Sequence, residues 1–227
     1  MRKVDHLSIG HDGRELVRDI SFELPPGECV LLAGPNGTGK TTLLHALAAP
    51  SAALIPTNIP KVKGFTVEAF VRTGCYRESD WRGRISKEVE GRMEEALKML
   101  GIEELRKRDI STLSDGEFQK ACLATGLTRR ADVLLLDEPT AHLDVENRVD
   151  VLRTLREVAR KTGTAVLFSS HDLYDALQVA DRVFVLTRDG RFLASASVIS
   201  SEAAGEVEKS KTAVLRAAFP ALSPDTL

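Results

Sequence analysis

Apolar residues fall along this chain in two kinds of pattern. Residues 28–33, 132–137, 164–169 and 182–187 are short, nearly continuous apolar runs, as expected of strands buried on both faces of a parallel sheet. Residues 16–24 alternate instead: Ile20, Phe22 and Leu24 are separated by polar neighbours, the mark of a half-buried strand. Residues 4–9 read as a companion strand across the turn-like His11-Asp-Gly13, and Pro25-Pro-Gly27 ends the pair. Helices are predicted over 41–48, 66–72, 85–100, 114–128 and 145–161. The clearest is 85–100, where Ile85, Val89, Met93, Ala96, Leu97 and Leu100 share one face and Gly101 is the stop. Val149, Leu152, Leu155 and Val158 give 145–161 a similar face. Pro50, Pro56 and Pro60 are expected to break any regular element between 49 and 60. Residues 74–83, which hold the only tryptophan, Trp81, read as polar and irregular. Residues 200–227 are rich in Ala and Ser, with a weak helical period near 207–219.

Strands alternating with helices predict an α/β fold with a mostly parallel sheet covered on both faces. Residues 65–130 lack any strand pattern and predict a helical subdomain. The division expected is a discontinuous core of 1–53 and 131–199, a helical segment of 54–130, and a tail of 200–227.

Composition narrows the class. The chain has 227 residues, 43% hydrophobic and 28% charged, with a formal net charge of −2. That is an ordinary globular balance, enough for one large core plus a small subdomain. The charge gives no electrostatic case for binding nucleic acid. No apolar run approaches the roughly 20 residues that cross a bilayer. The start, MRKVDHLSIG, has no apolar signal core, so a cytoplasmic location is expected. Cys29, Cys75 and Cys122 are too scattered for a zinc site or a disulfide framework and read as buried small hydrophobes.

The chemistry centres on residues 34–42, GPNGTGKTT, set between a buried strand and a helix. Gly34, Gly39, Lys40 and Thr41 fit G-x-x-x-x-G-K-[ST], the Walker A pattern of a phosphate-binding loop. Glycines let the backbone curl so that its N–H groups face an anion, and the following helix points its positive end the same way. Lys40 can reach the β- and γ-phosphates of a nucleotide, and the Thr41 hydroxyl can ligate Mg²⁺.

Three further stretches fit that loop. The apolar run at 133–136 ends in Asp137 and Glu138, at the sheet edge where open α/β sheets take ligands. Asp137 is the candidate for the metal and Glu138 for the general base. Leu113-Ser-Asp-Gly-Glu117 precedes a helix. A capping box explains Ser114 and Glu117, but Gly116 is left over, since glycine weakens a first turn. A phosphate approaching the backbone closely would account for it. Ser169-Ser-His171-Asp172 follows another buried strand, which brings His171 to the same edge and makes it a candidate γ-phosphate contact.

Taken in order, these motifs resemble the ATP-binding subunit of an ABC transporter. GPNGTGKTT is similar to its Walker A motif, LSDGE to its signature motif LSGGQ, VLLLDEPT to Walker B, Ala141-His-Leu-Asp144 to the D-loop, and His171 to the switch histidine. The resemblance implies a P-loop NTPase core of RecA type with a helical subdomain, and ATP and Mg²⁺ as cofactors. It implies ATP contacts from Gly34, Pro35, Asn36, Gly37, Thr38, Gly39, Lys40, Thr41 and Thr42, with metal contacts from Thr41 and Asp137. Two copies would sandwich two ATP molecules, so that Ser114, Asp115, Gly116, Glu117 and Asp144 of one face the γ-phosphate held by the other. Glu138 would activate water and His171 would hold the γ-phosphate. The implied partners are a second copy, integral membrane permease subunits and, indirectly, a solute-binding protein, with no nucleic acid. The subunit would lie at the inner face of the cell membrane. Leu54-Ile-Pro-Thr-Asn-Ile-Pro60, Phe65-Thr-Val-Glu68 and Val71-Arg-Thr-Gly74 resemble the importers of iron-siderophores, heme and cobalamin. A soluble ATPase of the same superfamily, acting as a switch or assembly factor, is the second reading.

The chain departs from the family in three places. The Q-loop glutamine aligns with Thr57, which offers a shorter hydroxyl to the metal. The antiparallel β arm expected before the Q-loop has only Ala49 to Ala53 in its place; either it is lost or residues are missing at Ala49-Pro-Ser51. The aromatic residue that stacks on adenine aligns with His11.

Overall fold

The computed structural model describes residues 1–11 and 13–195, together with 212, 213, 215, 216 and 219. The N-terminal hairpin forms from β1 (Arg2–His11) and β2 (Arg14–Leu24), paired antiparallel. Among the described residues the main sheet has six strands: β3 (Cys29–Ala33), β4 (Ala52–Ile55), β5 (Val133–Leu136), β6 (Ala165–Ser169), β7 (Arg182–Leu186) and β8 (Phe192–Ala194). Their order is β4-β5-β6-β3-β7-β8; all neighbours are parallel except β7 and β8. The apolar runs are thus the interior strands, and β3, β5 and β6 are buried at every position.

Alternate residues of each strand face opposite layers. Val30, Leu32, Leu135 and Leu167 pack with Ile20, Leu24 and the helix α1 (Lys40–Leu47) on one side. Leu31, Leu134, Leu136 and Phe168 face the other side, toward α2 (Val67–Arg72), α3 (Lys87–Met99), α4 (Asp115–Thr128), α5 (Val145–Thr162) and α6 (Leu173–Val179). Val67, Met93 and Leu97 of the helical block belong to the same buried cluster as those sheet residues.

Several boundaries differ from expectation. Residues 52–55 form β4, although prolines flank them at 50 and 56. Four residues fit between the two rings, and an edge strand needs a partner on one side only. The turn from α1 to β4 occupies 48–51 and is closed by Ala52 N–H donating to Ala49 O at 2.9 Å; among the described residues the separate antiparallel sheet is the N-terminal hairpin. Helix α3 starts at Lys87 rather than Ile85, because the Ser86 hydroxyl accepts the N–H of Val89 and caps it there. Residues 73–78 form a 3₁₀ turn rather than irregular coil. Helix α6 and strand β8 carry too few residues to show a period. The helical period read over 207–219 lies mostly outside the described residues; of those described there, Leu215 is buried in the core.

Candidate functional site

Strands β3, β5 and β6 all run toward one edge of the sheet, and the loops leaving them meet there. A cavity of about 890 Å³ opens at this edge. It is lined by Asn36, Gly37, Gly39, Lys40, Thr41 and Thr42 of the glycine loop and α1, by Glu138 and His171, and by His11, Arg14 and Leu16 of the hairpin.

The loop's shape follows from its glycines. Gly34 has φ +152, and a Cβ there would meet the Leu186 carbonyl at 2.5 Å. Gly39 has φ +100, caps α1 without any side-chain hydrogen bond, and leaves the first-turn N–H groups for a ligand. The Thr38 hydroxyl donates to Pro35 O at 2.9 Å and pins the turn. The Lys40 ammonium is buried and donates to the carbonyls of Gly34 at 2.7 Å and Pro35 at 3.3 Å. Burial lowers its pKa from the usual lysine value, against the opposing pull of Glu138 and Asp137.

Asp137 is divided between two hydroxyls. Thr41 donates to Oδ2 and Ser169 to Oδ1, each at 2.8 Å. Two oxygens so close can span one edge of an octahedral cation site, about 2.9 Å for bonds of about 2.05 Å. Thr41 and Asp137 are therefore the pair able to hold a small hard cation. Ser169 also accepts the Glu138 N–H at 2.9 Å. That bond holds Glu138 at φ +49, a conformation that carries strain for a residue with a side chain. It turns the carboxylate toward His171, whose Nε2 lies 2.5 Å from Glu138 Oε1.

The second group of residues does not line this cavity. Ser114 caps α4 by accepting the Glu117 N–H at 3.2 Å, and the Glu117 carboxylate accepts the Ser114 N–H at 2.8 Å, the reciprocal pair expected of the capping box. Gly116 has a reason within the chain: a Cβ there would sit 2.6 Å from Asn147 Oδ1. Asn147 is fixed in turn by Asp144, which caps α5 by accepting its backbone and side-chain N–H groups, each at 2.8 Å. Those hydrogen bonds lower the Asp144 pKa. Close approach by a phosphate is thus not required to explain Gly116. Thr57 lies in a separate recess of about 380 Å³ with Asn58, Lys61, Asp115 and Phe118, away from the lining that holds Lys40.

Sequence reading missed Ser169, Arg14, Asn147 and Arg148. Arg148 pairs with Asp172, next to His171. Only Ser169 left a usable sign, a hydroxyl closing an otherwise apolar strand.

The family model of the ABC transporter domain matches residues 17–58 and 51–141. A zinc import ATP-binding protein of Jannaschia sp. (strain CCS1) is 35% identical over 191 residues, covering 81% of this chain and 77% of that protein. A petrobactin import ATP-binding protein of Bacillus anthracis is 30% identical over 213 residues, covering 83% and 78%. An achromobactin transport ATP-binding protein of Dickeya dadantii (strain 3937) is 30% identical over 202 residues, covering 78% and 75%. Among solved structures, a nucleotide-free ATP-binding cassette from an ABC transporter superposes with a TM-score of 0.76 at 17% identity, covering 94% of this chain and 96% of that one. A subunit of an ABC transporter complex from Clostridium perfringens superposes with a TM-score of 0.74 at 23% identity, covering 96% and 95%. The order of the sequence motifs, the cavity around Lys40 and the match of the family model agree, and the chain belongs to the ABC transporter family of ATP-binding, ATP-hydrolysing subunits.

Proposed function

We propose that this chain drives import of a metal chelate by hydrolysing Mg-ATP between two copies of itself. The observation that carries the reading is the division of the motifs. Lys40, Thr41, Glu138 and His171 line one cavity, while Ser114 to Glu117 line none of it. A hydrolytic site completed by a second copy accounts for both halves.

The loop at 34–39 and the α1 N-terminus bind the phosphates, and Lys40 exchanges its carbonyl partners for the β- and γ-oxygens. Thr41 and Asp137 hold Mg²⁺, which supplies charge neutralisation at the β- and γ-phosphates. Glu138 orients and deprotonates water, and His171 steadies the γ-phosphate. His11 stacks on the base. Ser114 and Gly116 of the second copy close the site, with Asp144 beside them. Permease subunits anchor the dimer at the inner face of the membrane, fed by a solute-binding protein. No helix among the described residues is long and apolar enough to cross a membrane. Relatives named for petrobactin import, achromobactin transport and zinc import support a metal-related cargo.

A switch or assembly factor without a permease is the second reading, favoured by Thr57 standing in a recess apart from Lys40. Copurification with an integral membrane subunit excludes it. The first reading is tested with Glu138→Gln and Mg-ATP. The variant is expected to bind ATP, run at twice the monomer mass in light scattering and hydrolyse at least about 100-fold more slowly than the parent. Hydrolysis at the parental rate overturns the assignment of Glu138, and a mass that ATP leaves unchanged overturns the two-copy site.

A further inference from the structure

Lys61 stands in the proline-bounded stretch that leaves β4 and enters the helical block, outside every motif recognised in the sequence. Its ammonium donates to Leu113 O at 2.9 Å and to Asp115 Oδ1 at 2.6 Å. These two acceptors flank Ser114 on either side. The same ammonium lies 5.3 Å from the centroid of the Phe118 ring, one turn further along α4. The Lys61 side chain is 27% exposed, so its stem is packed; Asp115 is 63% exposed. An ion pair that open contributes little by itself. The Leu113 carbonyl and the Phe118 face are what give the ammonium a single place.

We infer that Lys61 is a positioning residue, a strut that sets the height of Ser114 against the nucleotide. The strand β4 is hydrogen-bonded in register with β5, Ile55 opposite Leu136, two residues before Glu138. The chain beyond it has no ladder of its own over residues 56–63, and Pro56 and Pro60 lack N–H donors. Gly64 N–H to Asp109 Oδ2 at 2.6 Å and Ile110 N–H to Phe65 O at 2.8 Å hold its far end to the helical block. Lys61 is the one side chain of 56–63 seen to bond the loop of Ser114 among the described residues. A shift of the β4 exit is therefore passed to Ser114 through a cation gripping both neighbouring residues. Thr57 lies in the same recess as Lys61 and Asp115, so whatever moves that recess moves Ser114. The catalytic part of this inference rests on the two-copy site proposed above, in which Ser114 completes a partner's cavity.

The test uses the full chain with Lys61→Met and Lys61→Arg. Lys61→Met keeps the stem and removes the charge. Its kcat for Mg-ATP is expected to fall between about tenfold and 100-fold, the range for a misplaced site group, with ATP affinity within about twofold of the parent because Lys61 does not line the Lys40 cavity. Lys61→Arg, which can reach the same two acceptors, is expected to recover most of the rate. Hydrogen exchange supplies a readout free of hydrolysis: amides of residues 113–117 should exchange faster in Lys61→Met, and those of 34–42 at the parental rate. Parental exchange at 113–117 overturns the strut whether or not the parent hydrolyses ATP. Faster exchange with parental kcat, or ATP affinity lost in step with kcat, overturns its positioning role. A parent that ignores Mg-ATP overturns the proposed function, and the exchange result then still decides whether the strut exists.

Discussion

The Ser169 hydroxyl joins the metal-side carboxylate to the candidate base: it donates to Asp137 Oδ1 at 2.8 Å while accepting the N–H of Glu138 at 2.9 Å. Ser169 is fully buried, so no water can replace it without a cavity being made. Ser169→Ala leaves a strained Glu138 amide unpaired and one Asp137 oxygen short of a donor. The expected loss is about 1–3 kcal/mol of stability, seen as a fall in Tm of roughly 2–4 °C for each kcal/mol in a chain of this size. Hydrolysis should fall further than stability accounts for, because Glu138 loses its anchor. Differential scanning calorimetry and steady-state kinetics on one preparation separate the two effects.

Gly116 and Asn147 give a second prediction. Asn147 cannot swing away from an added methyl group without breaking its bonds to Asp144. Gly116→Ala is expected to lower stability by about 1–3 kcal/mol through overpacking. Adding Asn147→Ala to the same chain removes the obstructing side chain and should recover most of that loss. A thermal-melt double-mutant cycle measures it; additive losses would rule out the contact as the reason for the glycine.

The fold was legible where burial imposes a period. The runs ending at Ala33, Leu136 and Ser169 declare strands because both faces of an interior parallel strand are apolar. The edge strand β4 was hidden because Ala52 to Ile55 is four residues long and framed by prolines, so local chain stiffness masked a tertiary pairing. Part of the cavity lining was legible for the same reason: Glu138 and His171 follow the ends of those strands, Lys40 and its neighbours belong to the glycine loop, and chemistry restricts which types can serve, whereas Arg14 and Leu16 of the hairpin carry no such mark. The supports were not. Asn147, Arg148 and Lys61 act on residues far away in sequence, and nothing in their own neighbourhood marks them; Ser169 is marked only by its place at the end of an apolar strand. Gly116 is the instructive case, since its need for space was legible and the neighbour within the chain that imposes it, Asn147, was not.

His11 lines the cavity with Arg14 and Leu16. Removing its ring should weaken nucleotide binding while leaving maximal hydrolysis little changed, because no reacting group depends on it. Aromatic stacking contributes about 0.5–1.5 kcal/mol beyond burial, so His11→Ala should raise the Kd for a fluorescent ATP analogue by about 2- to 12-fold. Titration by fluorescence anisotropy checks it; unaltered affinity would remove His11 from the site.

The cysteines yield a prediction about solvent access. Cys29, Cys75 and Cys122 are all buried and in no disulfide, and burial pushes the Cys122 thiol up to about 12. At pH 8 that thiol stays protonated and unreactive. A chromogenic disulfide reagent should titrate less than one thiol per chain in the native protein and all three in denaturant.

His171 Nε2 and Glu138 Oε1 lie 2.5 Å apart, and the His171 side chain is about half exposed, so its ring has room to turn toward a phosphate in the cavity. The same contact holds the Glu138 carboxylate against His171 at the cavity wall. His171→Ala should therefore affect hydrolysis in two ways, by removing a donor to the γ-phosphate and by letting Glu138 turn. Loss of one preorganised donor costs about 10²- to 10³-fold in rate, and kcat should fall by at least that much while the Kd for ATP stays near the parental value. Lys40 and the loop at 34–39 retain the phosphates without it. Single-turnover kinetics at saturating Mg-ATP, set beside nucleotide binding at equilibrium, distinguishes this outcome from a general loss of the site. A variant that binds ATP poorly and hydrolyses it normally once bound would place His171 in binding alone.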